Sequence, residues 1–110
     1  MADREDSTLL LVKFSTHRDS RTYVEYRDLK HALEGVCQLY ESGLKAVNPN
    51  IRNITYDLND LFGYINSLQE IVCFTPTLDR ERRVVGYRRL DRAQIKDALF
   101  THLKRQAEDS

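Results

Sequence analysis

The chain has 110 residues, which suits one domain whose single core buries roughly two-thirds of the unfolded surface. Hydrophobic residues make up 41% and charged residues 31%, with 17 basic side chains against 17 acidic ones, so the composition is ordinary globular and no global charge pulls the chain toward nucleic acid or membrane. The charged opening "MADRED" and the short apolar run after it argue against a signal peptide or a spanning helix there and for an intracellular protein.

The first element is "TLLLVKF", Thr8 to Phe14, where Leu9, Leu10, Leu11 and Val12 are consecutive. In a strand successive side chains point to opposite faces, so this run puts apolar groups on both sides of a sheet and both sides need cover. The polar turn "STHRDS" leads to "RTYVEY", in which Thr22, Val24 and Tyr26 alternate with Arg21, Tyr23 and Glu25, a second strand hairpinned to the first. Asp28 is the natural N-cap of a helix whose Leu29, Ala32, Leu33, Val36, Cys37, Tyr40, Leu44 and Val47 recur at helical spacing. Pro49 in "NPN" should end it. "DLND" announces a short second helix with Leu58, Leu61, Phe62, Ile65 and Leu68 on one face.

"IVCF" is a continuous apolar run and reads as a third strand, limited by Pro76. "RRVVGYRR" carries a fourth. "DRAQIKDALFTHLKRQ" opens with a box-like Asp91 and Gln94 ahead of Ile95, Ala98, Leu99, His102 and Leu103, a third helix. The expected fold is α+β: one domain over 1–110 with frayed ends at 1–7 and 106–110, and a four-stranded antiparallel sheet with three helices on one face, in the order β-β-α-α-β-β-α. Each helix has one apolar stripe, so the far side of the sheet needs another cover. A second copy packed sheet to sheet is the simplest, and a long loop folded under the sheet is the alternative.

The stretches "LLLV", "RTYVEY", "ALEGVCQLYESGLKAVNPN", "NITYDLNDLFGYINSL" and "IKDALFTHLKRQA", in this order, resemble the enhancer of rudimentary family. The resemblance implies a small nuclear homodimer, with the cytoplasm left open as a second compartment. Its antiparallel sheet lies at the dimer interface, and it acts as an adaptor without catalytic activity. It further implies association with RNA processing, microRNA precursor processing, splicing, transcription and cell-cycle control, through short segments of partner proteins held on the dimer surface. On it Leu9 and Leu11 face the second copy while Leu10 and Val12 face the helices, and Lys13 lies at the rim. Thr22 of "RTY", with Glu25 three residues on, is a candidate phosphosite, and Asp28 stands where relatives often carry Ser. The chain departs from the family pattern in "FTPTLDRERRVVGYRRLDRAQ", which is longer and more basic.

Catalysis needs converging groups, and His17, His31 and His102 fall in a turn and on two different helices, while no Ser or Cys has a motif around it. Asp57 and Asp60 are better explained as a helix start than as an acid pair. Cys37 and Cys73, without CxxC or Cys/His spacing, read as buried reduced thiols. No enzyme, metal, cofactor or membrane contact is expected. From Arg80 to Arg92, six arginines against Glu81 and Asp91 leave a local charge of +4, with Tyr87 interleaved. Arg82, Arg83, Arg88 and Arg89 are therefore candidate contacts for an acidic protein segment or for RNA, and a small RNA-binding module is the alternative to the adaptor. Tyr23, Tyr26 and Tyr40 are candidates for a partner groove, since each offers rigid contact area with a polar handle.

Overall fold

A computed structural model of the chain describes residues 7–16, 20–50, 52 and 56–109. Its elements run β1 (Thr8–Lys13), β2 (Arg21–Tyr26), α1 (Leu29–Val47), α2 (Leu58–Ser67), β3 (Glu70–Leu78), β4 (Val84–Leu90) and α3 (Arg92–Asp109), the order expected from the pattern. The four strands form one antiparallel sheet in the order β2-β1-β3-β4.

Local chemistry sets the helix ends. The Asp28 carboxylate accepts the His31 N–H (2.9 Å), and α1 stops at Val47, before Pro49. Asp57 and Asp60 cap α2 reciprocally: each carboxylate accepts the other's backbone N–H, at 2.8 and 3.2 Å. Asp91 and Gln94 do the same for α3, both at 2.9 Å. Such a pairing satisfies two of the orphan donors of a first turn. The Arg92 guanidinium then donates to the carbonyls of Leu68 (2.8 Å) and Gln69 (3.3 Å), tying the start of α3 to the link between α2 and β3. Residues 106–109, expected as a loose end, continue α3, and Ser7 is buried with its hydroxyl bonded to the Glu25 carboxylate.

The third strand is longer than "IVCF". Pairing with β1 runs from Lys13↔Glu70 to Leu9↔Phe74, whereas pairing with β4 continues through Pro76↔Tyr87 to Leu78↔Val84. Pro76 is tolerated because it lies past the end of that register with β1, where its missing N–H deprives no neighbour of a bond. The β3–β4 turn is built on Asp79. Its carboxylate accepts the N–H groups of Glu81 (2.9 Å) and Arg83 (2.8 Å), and Arg82 takes a left-handed backbone with φ 64°. The Arg83 N–H, the largest influence, holds the Asp79 carboxyl below the ordinary carboxylate value.

All three helices pack on one face. The core joins Leu10, Val12, Ile71, Cys73 and Leu90 of the sheet to Ala32, Leu33 and Val36 of α1, Leu61 and Ile65 of α2, and Ile95 and Leu99 of α3. Leu10 and Val12 therefore face the helices, as the alternation requires. Tyr26, on the same face, brings the hydroxyl end of its ring against α1 at Gly35. A Cβ added at Gly35 would meet the Tyr26 hydroxyl oxygen at 2.1 Å and ring carbons at 2.4 and 2.7 Å, so a side chain smaller than any other makes this contact possible. None of the helices described is long and apolar enough to cross a membrane.

Candidate functional site

The other face of the sheet carries the principal feature. Across the register, Tyr23, Leu11 and Val72 stand in one row, and Glu25, Leu9, Phe74 and Arg89 in the next. Tyr87 lies opposite Pro76 beyond them. Leu9, Leu11, Val72 and Phe74 take no part in the core cluster, although Val72 is buried by its own neighbours. Tyr23 is 60% and Tyr87 56% exposed. Among the described residues no helix covers this face, and the loop alternative has no counterpart there. One end of the face is charged: Lys13 lies between Arg21 and Glu70, and the Arg21 guanidinium reaches the Glu70 carboxylate at 3.8 Å. The result is an apolar strip with a polar rim, the anatomy of a protein contact.

The tyrosines singled out from the sequence do not form one groove. Tyr23 is on the open face and Tyr26 on the helical face against Gly35. Tyr40 is on α1 and packs its ring against Tyr56 (centroids 4.9 Å apart, near perpendicular) and Tyr64 (5.1 Å). Such aromatic clusters hold a helix pair together. Burial raises the Tyr56 and Tyr64 hydroxyls above their ordinary pKa, so they remain protonated.

The arginines disperse as well. Arg82 is at the hairpin tip. Arg83 is neutralised by Asp79 (3.0 Å) and Glu81 (2.6 Å). Arg88, opposite Thr75, points to the helical face, and Arg89, opposite Phe74, to the open face. A strand alternates its side chains, so "YRR" cannot present both arginines on one surface. Thr22 sits on the edge strand β2, half-buried on the helical side opposite Val12, while Glu25 points the other way and is held by Ser7.

His17 lies outside the described residues. His31 is engaged with Asp28, Nδ1 to carboxylate at 2.6 Å. His102 is nearly buried between α1 and α3, its Nε2 without a hydrogen-bond partner and 3.9 Å from a Glu34 carboxylate oxygen. Cys73 is in the core, where desolvation pushes its thiol up to about 11. Cys37, beside Tyr56, is raised by burial first and by the Glu41 carboxylate second. Neither thiol is poised as a nucleophile. Among the described residues no three His, Cys, Asp or Glu side chains gather as a metal site would require.

Sequence reading missed the contribution of β3 and β4 to the open face. Val72, Phe74 and Tyr87 join Leu9 and Leu11 only through the pairing register, which local pattern does not fix. It also missed a groove of about 560 Å³ on the helical side, lined by Leu29, Lys30, Leu33, Arg88, Ala98 and Arg105 among others; its components come from three elements far apart in the chain.

Comparison with known proteins gives the family. Residues 4–109 match the family described as Enhancer of rudimentary. The chain is 38% identical over 109 residues to the Enhancer of rudimentary homolog of Arabidopsis thaliana, covering 97% of this chain and 96% of that protein. It is 34% identical over 101 residues to the homolog of Dictyostelium discoideum, covering 92% and 97%. To the protein enhancer of rudimentary of Drosophila virilis it is 35% identical over 100 residues, covering 91% and 92%. With nearly its whole length aligned to relatives of the same size, the chain belongs to the enhancer of rudimentary family.

Proposed function

We propose that the chain is a non-enzymatic, nuclear, homodimeric adaptor that holds segments of partner proteins in RNA processing, transcription and cell-cycle regulation. The observation that carries this reading is the uncovered apolar face around Leu9, Leu11, Val72 and Phe74. Val72 is already buried and Leu9, Leu11 and Phe74 are half-buried, so covering the last three recovers only part of the about 1.5–3 kcal/mol that full burial of such a side chain is worth. A two-fold axis supplies the same strip from both copies, so self-association is the simplest way to remove it from water. The dispersal of Arg82, Arg83, Arg88 and Arg89 over the tip and both faces favours the adaptor over an RNA-binding module, which would need a contiguous basic surface.

The test is light scattering of the wild type and of Leu9→Arg/Leu11→Arg, followed by affinity capture from nuclear extract with both. The wild type is expected as a dimer that retains RNA-processing or transcription proteins, and the variant as a folded monomer. A monomeric wild type at micromolar concentration, or a variant that remains dimeric, removes the proposed interface. Micromolar RNA affinity lost on Arg82→Glu/Arg83→Glu would instead install the RNA-binding reading.

A further inference from the structure

The groove on the helical side lies away from the proposed dimer face, and its lining is one-signed. Leu29 and Leu33 of the first turns of α1 and Ala98 of α3 form an apolar floor. Around it stand Lys30, Arg105 and Arg88, the last delivered by the alternation of β4 to the helical side. No carboxylate lines the groove, and none of these three cations has a carboxylate within ion-pair distance among the described residues. Of the acidic groups nearest in sequence, the N-cap Asp28 is engaged with His31 at 2.6 Å, and Glu34 of α1, itself outside the lining, stands 3.9 Å from His102, whose ring closes one side of the groove. The Thr101 hydroxyl, also at the groove, donates to the Asp97 carbonyl (3.2 Å) and brings no charge to it.

Three unpaired cations around an apolar floor in a chain of zero net charge are an arrangement with a direction. All three are exposed, so their like charges repel only through water and salt, and no carboxylate of the groove lining offsets them. A ligand that brings carboxylates beside an apolar side chain would relieve the repulsion and cover Leu29 and Leu33 at once. The volume, about 560 Å³, suits a few side chains rather than a whole domain. RNA fits less well, because the one aromatic ring among the lining residues, His102, is nearly buried and offers no open face for a base to stack on.

We propose that the α1–α3–β4 groove is the docking site for an acidic partner segment in which Asp or Glu flanks a large apolar residue, the apolar side chain seated on Leu29, Leu33 and Ala98 and the carboxylates met by Lys30, Arg88 and Arg105. This rests on the adaptor reading and names the chemistry of the segment. It also places the site within one protomer, so a dimer carries it twice and a monomeric variant keeps it.

Selection of a random dodecapeptide display library on the full chain tests the proposal, in parallel on wild type, on Arg88→Gln/Arg105→Gln and on Leu9→Arg/Leu11→Arg. Wild type and the leucine variant are expected to enrich peptides with Asp or Glu next to Leu, Ile or Phe. A synthesised winner should bind about tenfold or more tighter than its Asn/Gln counterpart, lose that advantage on the arginine variant, and weaken as salt is raised. Amide shifts on titration should centre on Leu29–Leu33 and Ala98–Arg105. Winners without acidic enrichment, winners that bind the arginine variant equally, or shifts confined to β1 and β3 overturn the groove while leaving the adaptor reading intact. A library that yields no binder on any of the three proteins counts against both. A change in the oligomeric state of the arginine variant would mean that a second copy occupies the groove, and would overturn the proposal too.

Discussion

Leu10 and Leu11 are the same residue, adjacent in one strand, yet they belong to two different surfaces. Leu10 is 1% exposed and belongs to the core shared with the helices, while Leu11 stands between Tyr23 and Val72 on the face that no helix covers among the described residues. The two faces of the sheet are similar in composition at their centre and opposite in circumstance. The helical face is closed by contacts within the chain, so its contribution to stability is independent of concentration. The open face gains only when something else arrives, so its contribution follows mass action. Substitutions one residue apart should therefore separate folding from association.

The largest effect is expected from arginine. Leu10→Arg forces an unpaired guanidinium into the closed core and should abolish the folded state by circular dichroism, whereas Leu9→Arg/Leu11→Arg should retain the helical spectrum and lose only association. If both unfold, the open face is part of the chain's own core and the distinction fails. Truncation sharpens the same contrast. Leu99→Ala, at a fully buried position, should lower stability by about 2–5 kcal/mol at every protein concentration. Leu11→Ala should instead weaken self-association about tenfold or more, seen in sedimentation as a concentration-dependent shift.

Gly35→Ala tests the seam between β2 and α1. The new methyl falls on the Tyr26 ring, and moving an aromatic ring out of a packed site costs about 1–3 kcal/mol. Alanine's better helix propensity returns up to about 1 kcal/mol, so a modest net loss in the denaturation midpoint is expected. A gain would show that Tyr26 swings away freely.

The smallest effect lies at the β3–β4 tip, outside both faces. The folded pKa of Asp79 is depressed, first by the Arg83 N–H, so its contribution is present above the ordinary carboxylate value of 3.8 and is lost as pH falls through the lower folded value. The amide resonances of Glu81 and Arg83 should shift in that acid window and nowhere near neutrality. Asp79→Ala should show the acid-form shifts already at pH 7 while leaving the sheet register and the oligomeric state unchanged.

Elements and caps were legible locally because their determinants are local. Asp28, Asp57 with Asp60, and Asp91 with Gln94 mark helix starts by hydrogen bonds that span three residues, and Pro49 ends α1 by removing a donor. The alternation of "LLLVK" assigns Leu10 and Val12 to one face and Leu9 and Leu11 to the other whatever the rest of the chain does. The fate of "FTPTLDRERRVVGYRR" was not local. Alternation parts the adjacent Arg88 and Arg89 once the run is a strand, but which of them meets the helices depends on strand pairing, and the pairing of Thr75 with Arg88 and of Phe74 with Arg89 decides it.

The same holds for the tyrosines. Their spacing placed Tyr23 and Tyr26 on opposite faces, but only packing put Tyr26 on Gly35 and locked Tyr40 between Tyr56 and Tyr64. By itself the sequence determined the order of elements, their ends and an apolar strand with two faces, since these follow from hydrogen bonds and periodicities a few residues long. Which residues of β3 and β4 extend the open face, and which cations gather around Leu29 and Leu33, was decided by tertiary structure alone. Both depend on bringing together residues that are dozens of positions apart, a matter of register and packing that no local pattern encodes.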